Sequence, residues 1–254
     1  MAKFLEENAV EKPGQSVSLW RYMSLSKFMH MIQNRTIWFS CITTLLNDDP
    51  YEGSLPFSYL EPTNPKVTAK REKALDLSPG STVESLRRME ASFKENRSDT
   101  FVSCWHSGVT DNDAMWRLYG AEHDGSVCVQ TTVARASRNL PNWVSIGRVT
   151  YTSYDEPWDV PLNAYTPFFR KRLCFEHEKE VRFLVNKKLD IRNDNFPGNE
   201  HGMPLVVDLN DFLLRVYVSP TSPAWFEGVV GNALHQAGLD LPFGPAPMSR
   251  KAAI

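Results

Sequence analysis

His177-Glu178-Lys179-Glu180-Val181-Arg182-Phe183-Leu184-Val185-Asn186 is the stretch from which the fold is read. Its period is two. His177, Lys179, Val181, Phe183 and Val185 fall on one side, and Glu178, Glu180, Arg182 and Leu184 on the other. A helix would scatter these residues around its axis; a β-strand sorts them onto two faces, one apolar and one charged. The chain is therefore expected to place a strand here, with its Val/Phe side against a core.

Working back towards the N-terminus, Ser18 to Met23 and Thr36 to Cys41 are aromatic and β-branched, and read as two more strands. Between them Leu25, Phe28, Met29 and Ile32 recur at helical spacing behind a Ser24 or Ser26 cap, with Asn34 as the left-handed stop. Asn47 to Gly53 is turn chemistry, and 54–80 reads as a long surface excursion. Ser81-Thr82-Val83-Glu84 is a capping box that opens a helix to about Arg97. Thr100 to Trp105, Gly125 to Thr131 and Ile146 to Thr152 read as strands, with a short helix capped by Asp111 or Asp113 between the first two. Pro161 to Phe175 reads as a helix. Beyond Asn186, strands are expected at Pro204–Leu209 and Leu213–Ser219, then a helix from Pro223 to Gln236 closed by Gly238. Residues 1–17 are expected to be a flexible arm and 239–254 a disordered, proline-rich tail around one domain, 18–238. The fold class is α+β with a mixed or antiparallel sheet flanked by helices, because regular βαβ alternation is missing. Leu25, Phe28, Met29, Ile32, Val127, Val129, Val181 and Phe183 are the expected core.

Composition narrows the function. The 254 residues carry a formal charge of -2, so no global basic bias points to nucleic acid or a membrane surface. No apolar run reaches a membrane span, and the polar, acidic start does not read as a signal peptide. Cys41, Cys104, Cys128 and Cys174 are scattered among apolar neighbours without a CxxC, which reads as reduced thiols and a cytoplasmic setting. Neither GxGxxG nor GxxxxGK[ST] occurs.

Chemistry concentrates on the charged side of the opening stretch. Glu178, Glu180 and Arg182 follow one another in steps of about 7 Å on one face of a strand. They are either a solvated row on a sheet edge or a paired-carboxylate site oriented by a guanidinium. Trp20-Arg21-Tyr22 sets a cation between two rings, which suits a phosphate or ribose but equally an arginine snorkelling from a strand. Cys104 and His106 suggest a thiol and a base, although a core cysteine is the simpler account. His106, His123 and His177 lack metal-ligand spacing. Asp48, Asp49, Asp111 and Asp113 would suit a divalent ion, or the last two a helix cap.

In order along the chain, Trp20-Arg21-Tyr22-Met23-Ser24, Ile37-Trp38-Phe39-Ser40, Asn47-Asp48-Asp49-Pro50-Tyr51-Glu52-Gly53, Val102-Ser103-Cys104-Trp105, Met115-Trp116-Arg117-Leu118-Tyr119, Gly125-Ser126-Val127-Cys128-Val129 and Glu178-Lys179-Glu180-Val181-Arg182 resemble the domain of unknown function 2971 family. The likeness spans about Leu19 to Leu234. It departs at the extra aspartate of Asp48-Asp49 and at Phe175, where a tryptophan is common. More distantly, the layout is similar to ADP-ribosyltransferases, whose arginine–serine–glutamate group falls here on Arg21, Ser40 and Glu180. That likeness implies NAD as substrate and Glu180 as the charge-stabilising carboxylate. It further implies Glu178 as the base for the acceptor, Tyr22 or Trp38 stacking on nicotinamide, and Arg182 as a geometry-fixing contact. The acceptor is left open among protein, nucleic acid and small molecule, and a toxin or antiviral effector role is the expected setting. The alternatives are a non-catalytic binding module and a metal-dependent phosphoesterase built on the four aspartates.

Overall fold

A computed structural model describes residues 1–5, 9–56, 83–120, 125–156, 158, 160, 162–191 and 196–249. In chain order the strands are β1 (Lys3–Phe4), β2 (Ser18–Ser24), β3 (Thr36–Cys41), β4 (Thr100–Ser107), β5 (Ser126–Thr132), β6 (Ser145–Arg148), β7 (Thr150–Thr152), β8 (Arg170–Arg172), β9 (Glu180–Asn186), β10 (Gly202–Val206), β11 (Arg215–Val218) and β12 (Phe243–Pro245). Ten of them form one mixed sheet running β1-β6-β9-β4-β2-β5-β11-β12, with β3 also on β4 and β10 outside β3; β7 and β8 pair separately. The pairs at the two ends of that run, β1 with β6 and β11 with β12, are parallel; the other pairings within it are antiparallel. The α+β expectation is borne out. Among the described residues no helix is long and apolar enough to cross a membrane.

Alternation assigns the two faces. Leu19, Met23, Ile37, Phe39, Phe101, Trp105, Val127, Val129, Val181, Phe183 and Val185 point to one side and build the main core. The helix Leu25–Asn34 packs there through Phe28, Met31 and Ile32. Leu25 and Met29, expected inside, are half-buried against it. Ser24 is the cap, accepting from Lys27 N–H at 3.3 Å. Arg35, not Asn34, is the left-handed stop at φ 55, and its guanidinium reaches the Ala237 carbonyl.

Several elements differ from the sequence reading. The arm is not loose: Lys3–Phe4 pair with β6, and Ala9 and Val10 are buried beside Phe168 and Phe169. Near the other end, β12 extends the sheet on β11 and Ala246 is buried, so 239–249 are not a disordered tail. The helix expected over Pro161–Phe175 does not form among the described residues from 162 on: Thr166–Phe169 is a short 3-10 turn, and Arg170–Arg172 is a strand beside Thr150–Thr152. Lys, Arg and aromatic residues gave that segment no clear period, and tertiary pairing decided it. The cap of the helix Asp113–Tyr119 is Asn112, whose side chain accepts from Met115 N–H; Asp111 instead takes the Trp116 indole N–H. The helix Val83–Asn96 forms where expected, while Ser81 and Thr82 of its capping box, and 57–80 of the excursion, lie outside the described residues.

Strand β4 is central to what surrounds it. Its first edge is held by β9 from Thr100 to His106. Its second edge is shared: β2 takes Ser107 and His106, and β3 takes Val102 and Phe101. Among the described residues, Ser103, Cys104 and Trp105 have no strand partner on that edge, so the sheet forks there.

Candidate functional site

The site lies on the charged face of β9, opposite the main core. Strand β9 begins at Glu180; residues Leu173–Glu178 form a 3-10 turn, and Lys179 joins the two in the left-handed region at φ 42. Glu178 is therefore not on the strand as expected, yet the turn still delivers its carboxylate to the same cluster. Arg182 is wholly buried and spends its guanidinium on two carboxylates. Its Nε and Nη2 lie 2.6 Å and 3.1 Å from the two Glu180 oxygens. Its Nη1 and Nη2 lie 2.5 Å and 3.0 Å from those of Glu52, and Nη1 also reaches the Phe168 carbonyl at 2.6 Å. Two bidentate pairs on one planar fork need an arginine; a lysine has no such geometry.

Glu52 is brought in by the turn that sequence reading recognised but did not connect to the site. Asp49 Oδ1 accepts from Tyr51 N–H at 3.0 Å and from Arg172, closing the turn. Gly53 follows at φ 64, and a Cβ there would stand 2.6 Å from the Phe168 ring. Only glycine lets the chain pass and leaves the Glu52 side chain facing Arg182.

From Glu180 the charges run outward. Lys171 Nζ lies 3.9 Å from Glu180 and 2.6 Å from Glu178. Tyr119 donates its hydroxyl to the other Glu178 oxygen at 2.8 Å, while the residue as a whole is 48% exposed. The series Glu52–Arg182–Glu180–Lys171–Glu178 thus alternates in sign and begins and ends on a carboxylate. Burial alone would raise the Glu180 pKa, but Arg182 and Lys171 outweigh it and hold the carboxyl down at about 2. Burial opposes the charge on Lys171 too, yet Glu180 and Glu178 raise its pKa above the usual lysine value. Burial, aided by the Glu178 carboxylate, keeps Tyr119 protonated.

His106 and Tyr22 share this face. His106 Nδ1 lies 2.6 Å from the Glu178 carbonyl oxygen, an acceptor only, so the proton sits on Nδ1 and Nε2 keeps its lone pair. Burial holds the imidazole neutral. Tyr22 is 6.4 Å from the His106 ring and 4.9 Å from that of Trp116. Cys104 pairs in register with Arg182; burial, with Glu180 beside it, pushes the thiol pKa well up, so it is no thiolate nucleophile.

Not all the residues singled out in the sequence converge. Arg21 points to the main-core face, donating to Ser103 Oγ at 2.8 Å and lying 5.7 Å from the Trp105 ring centre. Ser40 shares the site face but pairs with Val102, four residues along β4 from His106, the partner of Glu180; that is about 13 Å away. Trp38 lies edge-on to His30 at 6.2 Å, out near β10. An arginine–serine–glutamate group of Arg21, Ser40 and Glu180 does not assemble; Glu178, Glu180 and Arg182 do, while Tyr22 is buried among Met115, Trp116 and Cys128 and meets this face at the His106 ring. The aspartates do not gather either. Asp49 binds Arg172, Asp111 binds Trp116, and Asp113 binds Arg117. Among the described residues no group of three His, Cys, Asp or Glu is placed to hold a metal. Glu52, Lys171, Tyr119 and Tyr151 were missed; the Tyr151 hydroxyl accepts from Glu180 N–H at 2.8 Å.

No family model, no curated protein and no solved structure matches this chain.

Proposed function

We propose that this protein is an ADP-ribosyltransferase-like enzyme that cleaves the nicotinamide–ribose bond of NAD, with Glu178 rather than Glu180 turned to the substrate. The observation that carries the reading is the carboxylate at the outer end of the charge series. The five bridged groups sum to one negative charge, and Glu178 is where that excess meets the exposed Tyr119. When the C–N bond breaks, its electron pair leaves with nicotinamide and positive charge grows on the ribose. A fixed carboxylate beside that ribose lowers the barrier without having to move a proton. Glu180, with both oxygens on Arg182, keeps Lys171 charged and so fixes Glu178. The neutral His106, with Nε2 unprotonated, is the group able to take the proton of an acceptor as its nucleophile attacks the ribose. Tyr119, half exposed beside Glu178, supplies a ring for nicotinamide. The acceptor is a protein, a nucleic acid or a small molecule, and a toxin or antiviral setting belongs to this proposal through the same likeness.

A second reading has its own support. Both Glu180 oxygens are committed, and Arg21 and Ser40 stand apart, which suits a binding module that keeps the fold without turnover. One experiment separates the two: incubate the protein with NAD, follow nicotinamide release, and measure NAD binding by calorimetry in parallel. Release that is unchanged by a chelator and lost in Glu178→Gln supports the enzyme. Binding without release supports the module, and neither binding nor release ends both readings.

A further inference from the structure

A cavity of about 220 Å³ lies at the end of β4 remote from His106, between the end of β3, the short helix Lys187–Asp190 and the turn before β10. Its apolar lining is Cys41 and Phe101, which are buried and paired in register, and the half-buried Phe196, whose ring centre lies 4.7 Å from that of Phe101. The turn is held firmly. Cys41 N–H donates to the His201 carbonyl at 3.0 Å, and Asn199 Oδ1 accepts from the N–H groups of His201 and Gly202 at 2.9 Å and 3.1 Å. Those two bonds fix the Asn199 amide, which also lines the cavity, and leave its Nδ2 without a protein partner among the described residues.

Two adjacent lysines open the short helix, and they differ. Lys188 is paired with Asp99 at 2.6 Å. Lys187 has no ion-pair partner among the described residues; its Nζ lies 5.3 Å from the centre of the Phe196 ring, which sets the ammonium at the cavity. Glu200 lines the same cavity, and its ion-pair contact is the exposed His201 ring at 3.6 Å. One cavity is thus bordered by a cation and an anion that do not bridge each other, with apolar surface beneath them. A molecule bearing a single charge would answer one of the two and leave the other facing it.

We propose that this cavity binds a small apolar α-amino acid as its zwitterion. The ligand carboxylate accepts from the Lys187 ammonium and from Asn199 Nδ2–H, its ammonium donates to Glu200, and its aliphatic side chain covers Cys41, Phe101 and Phe196. At water's share of about 30 Å³ each, the space corresponds to about seven waters, which suits an amino acid the size of valine or leucine. The proposal is independent of the transferase reading. Phe101 and His106 stand five positions apart on β4, about 17 Å along the strand, and no residue of the charged face lines the cavity.

The test is calorimetric titration of the full chain with L-leucine, with isocaproate, which lacks the amine, and with isoamylamine, which lacks the carboxylate. Leucine is expected to bind at least tenfold more tightly than either single-charge analogue. Lys187→Met and Glu200→Gln should each weaken leucine about tenfold. Both residues are exposed, so the unliganded thermal midpoints should stay within about 1 °C of wild type. The analogues assign the charges: Lys187→Met should leave isoamylamine binding unchanged, and Glu200→Gln should leave isocaproate binding unchanged. A wild type that does not bind leucine overturns the proposal. So does leucine binding indifferent to both substitutions, or isocaproate binding as tightly as leucine, which would make this a site for a carboxylate alone.

Discussion

Two arginines flank the central strand β4, one on each neighbouring strand and on opposite faces of the sheet. Arg182 on β9 is wholly buried, yet every part of its guanidinium has an answer: two carboxylates and a carbonyl. Arg21 on β2 is half-buried and has a serine hydroxyl and an indole face, with no carboxylate among the described residues. Burial lowers its pKa, whereas Glu180 and Glu52 overcome the same penalty at Arg182 and raise its pKa well above the ordinary value. The contrast teaches that a charge inside a sheet is judged by its partners. Arg182 is part of the framework of the charged face; Arg21 sits at the fork between β2 and β3, where the sheet is least continuous.

The largest effect should come from Arg182. In Arg182→Met, Glu52 and Glu180 lose their shared cation and stand buried with like charge. The expected cost is about 3–5 kcal/mol in urea unfolding, and Arg182→Lys should recover only a minor part because one ammonium cannot form two forks. A methionine variant within about 1 kcal/mol of wild type would show that these ion pairs are no framework for the face.

Next comes Glu180→Gln, expected to cost about 2 kcal/mol at neutral pH by weakening a charge-assisted fork. The pH dependence sharpens the test. The folded pKa of Glu180 is depressed, from an ordinary 4.5 to about 2. Its contribution is therefore fully present above pH 4.5 and is lost as the pH falls towards 2. Wild type should lose its advantage over the glutamine variant across that window, and a constant difference between the two proteins down to its lower end would contradict the assignment.

Glu178→Gln should separate stability from chemistry. Glu178 is buried but has one cation, Lys171, beside the Tyr119 hydroxyl, and glutamine keeps its shape and one acceptor oxygen, so the change should cost about 1 kcal/mol in unfolding. If the transferase reading holds, nicotinamide release should fall about a hundredfold. A variant that is destabilised like Glu180→Gln but turns over normally would make the outer end structural as well.

The sheet and the charged face of β9 were legible because a period of two is a local signal, carried by Val181, Phe183 and Val185 against Glu180 and Arg182. The same alternation, applied to β2, already separates Arg21 from Trp20 and Tyr22. Which of β2's faces meets the glutamates depends on the register of β2, β4 and β9, and no local pattern states a register. Glu52 was hidden for a related reason. Its turn reads clearly from Asn47 to Gly53, but its contact with Arg182 spans 130 positions. Lys171 lay in a segment without periodicity, and Lys179 gave no sign of its left-handed backbone because lysine does not advertise one. The helical stripe of Leu25 to Ile32 was readable, while the choice between Asn34 and Arg35 as its stop turned on the distant Ala237 carbonyl.

The smallest effect should come from the other arginine. Arg21→Met removes a cation that is desolvated without an anionic partner, so little Coulombic energy is lost with it. Its hydrogen bond to Ser103 goes, but the Ser103 hydroxyl still accepts from the Trp105 indole N–H at 3.1 Å. The methionine replaces the stem's packing against Trp105 with a side chain of similar length. Exchanging a poorly compensated buried charge for an apolar group is commonly neutral or stabilising. The expected change is within about 1 kcal/mol of wild type, in either direction, by urea unfolding. Run beside Arg182→Met, this measurement decides the comparison on its own terms: two arginines flanking the same strand, one deletion costly and the other nearly silent. A loss at Arg21 as large as that at Arg182 would mean that the fork needs its cation, and that partners do not set the value of a charge in this sheet.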